Sequence, residues 1–166
     1  MINQPYEGAT PEQLRNPFVR ELLGVHNMFR NQLAAILAYV EELIAGDQQL
    51  TAPATTAQIQ ALIRSGAQYT QILHTHHHLE TSYLFPPLQE EGLESEVVDR
   101  LNAEHDEIGV LVDKFNDAIH QLATIEPGVL DNDLRRLADA LHAHLAYEET
   151  HVCPFMARWR HLPPMH

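Results

Sequence analysis

The chain has one cysteine, Cys153, in 166 residues, which excludes an internal disulfide framework. A lone cysteine of this kind is expected as a small buried hydrophobe near a helix end. Basic residues are scarce: ten Lys and Arg stand against 23 Asp and Glu, a formal net charge of −13 with histidine neutral. Nucleic acid and anionic membrane both require clustered cations, so neither is an expected partner. No apolar run approaches the roughly 20 residues of a membrane span. Residues Met1 to Gly8 carry no basic region and no apolar core, so no secretory leader is expected and the chain is read as cytoplasmic. Strand-like alternation is missing throughout.

What the chain has instead is helical periodicity. Thr10-Pro11-Glu12-Gln13 combines an N-cap, a first-turn proline and a capping-box glutamine, predicting a short helix that stops before Pro17. Asn16-Pro17 is a second start signal. From Phe18 the apolar residues recur at helical spacing through Leu22, Val25, Phe29, Leu33, Ile36 and Val40, with Gly46 as the expected stop. A loop carrying Pro53 precedes a second helix, from about Thr56 to Leu84, which Pro86-Pro87 should end. A third helix is expected over about Ser95 to Ala123. A fourth is expected from about Asp131 to Val152, with Leu134, Leu137, Leu141, His144, Glu148 and His151 inward and Pro154 either ending it or beginning a last short turn. Four long amphipathic helices with short connections predict an all-α, up-down-up-down antiparallel four-helix bundle. The length fits one domain spanning 1–166, with a core at about 17–156, an N-terminal extension over 1–16 and a tail over 157–166.

Twelve histidines are unusual, and their placement organises the chain as a twofold repeat. Leu73-His74-Thr75-His76, continuing to Glu80 and Pro86, is echoed by Leu141-His142-Ala143-His144, continuing to Glu148 and Pro154. In each copy a His lies four residues before a Glu, close to one helical turn, so the two side chains share a face. The two remaining long helices each carry a His in core phase, His26 and His105. An ionised carboxylate on an apolar stripe is costly unless it is paired or metal-bound, and no Lys or Arg shares the faces of Glu80 and Glu148. Imidazole and carboxylate together form a ligand set for non-haem iron and related metals. Two bridging glutamates and four terminal histidines can hold two ions and leave positions open for an exogenous ligand. Zinc or manganese would also suit these donors.

The set formed by His26, His76-x-x-x-Glu80 followed by Leu84-Phe85-Pro86, Glu104-His105, and His144-x-x-x-Glu148-Glu149 followed by Pro154 resembles the hemerythrin-like family, in its HHE cation-binding branch. The resemblance runs from about Phe18 to Phe155. It implies a four-helix bundle around two iron ions joined by an oxo or hydroxo bridge. Glu80 and Glu148 would bridge, His26 and His76 would serve one iron, and His105 and His144 the other. In that branch the residue after the helix-two histidine can be a further ligand; here it is His77. The oxygen carriers have a second His four residues after the one on helix three, where this chain has Gly109. They also have His-x-x-x-x-Asp on helix four where this chain has His-x-x-x-Glu, so the five-histidine set of the oxygen carriers is incomplete here. Gly109 is a candidate either for an access channel or for close helix packing.

The metal-ligand set read from the sequence is therefore His26, His76, His77, Glu80, His105, His144 and Glu148. The expected small ligands are dioxygen, peroxide and nitric oxide. Three uses compete: binding or storage, a di-iron oxidase, oxygenase or peroxidase acting on a small molecule, and an iron or redox sensor. The expected assembly is a monomer or a homodimer. Tyr69 and Tyr147 are expected to pack in the core rather than to ligate. His74 and His142, about 200° round from the ligands, are expected outside the centre, and Glu104 and Glu149 as solvated neighbours.

Overall fold

Four long helices carry the periodicity, and a computed structural model describes them over residues 9–48, 56–121 and 127–163. They are α1 (Pro17–Gln48), α2 (Thr56–Leu79), α4 (Ser95–His120) and α5 (Pro127–Met156), with a short α3 (Phe85–Glu90) between α2 and α4. Among the described residues there is no strand, and no helix is long and apolar enough to cross a membrane. The loop at Pro53 and His166 fall outside these residues; the third helix, expected to about Ala123, ends at His120.

The start signals act as the sequence predicts. Thr10 and Gln13 form a reciprocal capping box, with the Thr10 amide donating to Gln13 Oε1 at 2.8 Å and the Gln13 amide to Thr10 Oγ1 at 3.3 Å. It holds a single 3₁₀ turn over Gln13–Arg15. Asn16 then caps α1, accepting the Phe18 amide at 2.9 Å, with Pro17 in the first turn.

Two of the predicted stops, Gly46 and Pro86-Pro87, are overridden: α1 runs on past Gly46 to Gln48. Pro86-Pro87 does not end the helical path. The backbone widens into a π turn over Glu80–Leu84, where the Phe85 amide reaches back five residues to the Glu80 carbonyl, and α3 continues with proline in its first turn. A proline cannot donate and its ring crowds the carbonyl four residues earlier; a wider turn relieves both. The path stops instead at Gly92, whose φ of +104° suits glycine, with the Leu93 amide bonded to the Leu88 carbonyl at 2.9 Å. Pro154, expected either to end the helix or to begin a last short turn, lies inside α5 on an exposed face, and the helix runs another half turn to Met156. The fourth long helix starts earlier than Asp131, with Pro127 as the first residue of α5.

Each long helix packs on the next in the chain, and α5 closes the ring on α1. The core is split into two apolar clusters. One holds Val19, Leu22, Leu23, Phe85, Leu88, Val98, Leu101, Val152 and Met156; the other holds Phe29, Leu33, Val40, Leu73, Ile108, Phe115, Leu134 and Leu141. Along α1 and α4 the chain passes from the first cluster to the second, and along α2 and α5 from the second to the first. The helices therefore run up, down, up and down. At the boundary between the clusters every helix contributes its buried histidines and glutamates, so the polar belt is sealed above and below by hydrocarbon.

Candidate metal centre

The belt gathers all seven sequence-predicted residues. His26 comes from α1, His76 and His77 from the end of α2, Glu80 from the π turn, His105 from α4, and His144 and Glu148 from α5. The donor atoms of His26, His76, Glu80 and Glu148 form one group, and those of His77, His105 and His144 another, each within 4.8 Å of one another. Glu80 reaches both: Oε1 lies 2.9 Å from His76 Nε2 and 3.9 Å from His26 Nε2, while Oε2 lies 3.4 Å from His105 Nε2. Glu148 Oε2 lies 3.4 Å from His26 Nε2 and 3.8 Å from His144 Nε2.

These close approaches are not hydrogen bonds. The five Nε2 atoms of His26, His76, His77, His105 and His144, and both oxygens of Glu80 and of Glu148, are buried without a hydrogen-bond partner. Leaving one buried polar atom unsatisfied costs about 1–3 kcal/mol, so nine at one depth would be untenable without a common partner. A cation-binding role fits this donor set; a hydrogen-bonded polar core does not.

Three histidines are fixed through their other ring nitrogen. His26 Nδ1 donates to Glu149 at 2.9 Å, and the Arg30 guanidinium holds the same Glu149 oxygen at 2.7 Å. His144 Nδ1 donates to Glu104 at 2.9 Å, and Arg100 holds Glu104 from one turn away at 2.7 Å. Arg100 also lies flat over the Tyr147 ring, 3.6 Å from its centroid. His105 Nδ1 donates to Thr81 Oγ1 at 3.2 Å, whose hydroxyl donates to Asn102 at 2.8 Å. Placing the proton on Nδ1 leaves the Nε2 lone pair aimed at the centre, the arrangement metal-ligating imidazoles adopt.

The electrostatics divide the donors. Burial works against ionisation of Glu80, yet the neighbouring His105, His26 and His76 hold its carboxyl well below the usual carboxylate range. Burial opposes a charged His26 too, but Glu148, Glu149 and Glu80 outweigh it and raise the ring well above the usual histidine range. His77 is the opposite case: burial, with His105 stacked on it at 4.0 Å, pushes it down to about 2. A ring that stays neutral at any ordinary pH is a ready donor.

Glu149 and Glu104 correct the sequence reading, which placed them as solvated neighbours. Glu149 is fully buried and Glu104 partly so, and each orients a histidine from a different helix. The signal available in the sequence was the doubled Glu148-Glu149 and the Glu104-His105 pair, but neither says which histidine is met. His151, expected inward, is half-buried with its ring on Tyr147 at 4.0 Å. Tyr69 packs edge-on against Phe29 and bonds the Phe29 carbonyl at 3.4 Å, away from the donors. His142 is exposed, and His74 pairs with Asp113 at 2.9 Å. Gly109 lies beneath the His74 ring, where an added Cβ would sit 3.5 Å from Cε1, an ordinary contact, so the packing of α2 on α4 does not require glycine there and the ring covers the position.

A family model described as the hemerythrin HHE cation-binding domain matches residues 18–156, most of the chain. The chain therefore belongs to the hemerythrin HHE cation-binding family, and it binds metal cations through a helical bundle of that class. No curated protein and no solved structure matches it significantly.

Proposed function

We propose that the chain is a non-haem di-iron protein that binds or reacts with dioxygen, peroxide or nitric oxide at a carboxylate-bridged metal pair. The observation that carries this reading is the convergence of five imidazole nitrogens and four carboxylate oxygens, all buried and without hydrogen-bond partners. His26 and His76 would serve one ion, and His77, His105 and His144 the other, with Glu80 and Glu148 between them. Iron held there would supply redox chemistry and an open position for a small ligand.

The chain's own residues set the terms. Two glutamates provide two negative charges at the centre, with Glu149 a third at its edge, partly offset by Arg30. His77 stands in for the histidine missing at position 109, because its ring stacks on His105 and reaches the same group of donors. The unequal split, two histidines on one side and three on the other, directs an exogenous ligand to the His26/His76 side. His76 is also the most solvent-accessible of the seven, at 13% of its side chain.

Metal analysis combined with an optical spectrum before and after dioxygen, and again after peroxide, tests the proposal. The expected result is two irons per chain and a spectrum that responds to at least one of the oxidants. Glu80→Ala and Glu148→Ala should each retain fewer than two. Two irons retained in either variant would remove that residue from the bridge, and a protein purified without iron that takes up none would refute the reading.

A further inference from the structure

The His26/His76 side of the centre opens into an apolar cavity of about 410 Å³, with His76 and Glu80 in its wall. A diatomic ligand needs little more than the ~30 Å³ share of one water. The cavity is more than ten times that and lies within the 300–1,000 Å³ typical of small-molecule sites. Its other walls include Phe18 and Leu22 of α1, Tyr83 and Leu84 of the π turn, and Trp159 and Leu162 of the C-terminal segment.

These walls are built rather than accidental. Asn16 ties the C-terminal segment to the start of α1 by donating to the carbonyls of Ala157 and Trp159 at 3.2 and 2.9 Å. The Trp159 indole donates to Glu91 at 2.6 Å and meets Phe18 edge-on. The π turn that carries Glu80 to the centre also presents Tyr83 and Leu84 to the cavity. Tyr83 and Leu162 are exposed large hydrophobes at this one place. The charged side chains in the lining are Glu21 and Glu80, with no Lys or Arg among them.

We propose that this cavity is a binding site for an uncharged, mainly apolar organic molecule of roughly two-ring size, held against the His76/Glu80 edge of the metal pair. The inference rests on the metal reading above and adds a ligand class to it. Apolar walls favour hydrocarbon by burial, and Glu21, the one charged lining residue not assigned to the metal pair, disfavours an anion.

The test uses the zinc-loaded and iron-loaded protein and two fluorescent probes of one framework, neutral N-phenyl-1-naphthylamine and its anionic relative anilinonaphthalene sulfonate. The neutral probe should bind saturably at one site per chain and about tenfold more tightly than the anion. Tyr83→Glu should weaken it about tenfold or more, because a charge then lies in the apolar mouth. Leu162→Glu, on a different segment, should do the same even if the π turn tolerates no change. Thr75→Glu, beside a separate cavity on the other side of His76, should leave binding unchanged. Emission should be weaker in the iron-loaded than in the zinc-loaded protein, since paramagnetic iron quenches a neighbouring fluorophore. Equal emission in the two, indifference to both Tyr83→Glu and Leu162→Glu, or a dimer that these variants dissociate and that excludes the probe would each overturn the proposal. Probe binding sensitive to Tyr83→Glu in a protein that takes up no metal would sink the metal reading and leave the cavity as a ligand site.

Discussion

Glu149 follows Glu148 by one residue, yet the two carboxylates meet opposite nitrogens of the same imidazole. Glu148 Oε2 lies 3.4 Å from His26 Nε2, and Glu149 accepts from His26 Nδ1 at 2.9 Å. One helix therefore supplies both a candidate ligand and the group that fixes its neighbour's tautomer. Removing such an orienting partner typically costs 10–100-fold in metal affinity. Glu149→Ala should weaken metal binding by about that factor in a chelator competition, and Glu149→Gln, which keeps an acceptor oxygen, by less. Unchanged affinity in Glu149→Ala would show that Arg30 and helix packing alone hold His26.

His77→Ala should lose metal unequally. The ion served by His105 and His144 would keep two histidines, and that served by His26 and His76 would be untouched. Stepwise chelator titration should therefore show one weakened site and one site of wild-type strength. Uniform weakening of both, or of neither, would place His77 outside the ligand set.

The pH dependence follows from the orienting acids. Burial raises the pKa of Glu149, but His26 and Arg30 outweigh it and lower the carboxyl; Arg100 and His144 do the same for Glu104. A lowered folded-state pKa contributes stability that is fully present above the unfolded value of about 4.3 and is lost as pH falls through the folded value. Imidazole must also be neutral to hold metal, so metal release should begin at higher pH than loss of these pairs. Elemental analysis after gel filtration at pH 7, 5 and 4 should show falling metal content, with thermal stability dropping further below pH 4. Full metal content at pH 4 would contradict histidine ligation.

Cys153 is fully buried, and burial, with Glu149 and Glu148 nearby, pushes its thiol up to about 12. The thiolate is the reactive form. The native protein should resist a maleimide or a disulfide reagent at pH 8 for hours, and the denatured chain should react at once, as mass spectrometry would show. Rapid labelling of the native protein would mean that this end of the bundle opens.

Much of the molecule is legible in its residues. Helical period fixes which side chains share a face within one helix, so the four amphipathic stripes, the His76/Glu80 and His144/Glu148 pairs and the core phase of His26 and His105 follow from spacing alone. The capping box at Thr10 and the cap at Asn16 are local hydrogen bonds and were equally readable. Tertiary structure decided what depends on contacts between helices. Glu149 meets His26 across 123 positions and Glu104 meets His144 across 40, through relative rotation and axial offset that no local pattern encodes. It also decided that the chain passes Pro86-Pro87 through a π turn instead of stopping, because Phe85 and Leu88 gain a buried place on α4 and α5. The cavity beside His76 exists only because that turn, the start of α1 and the C-terminal segment, distant in the chain, meet around it.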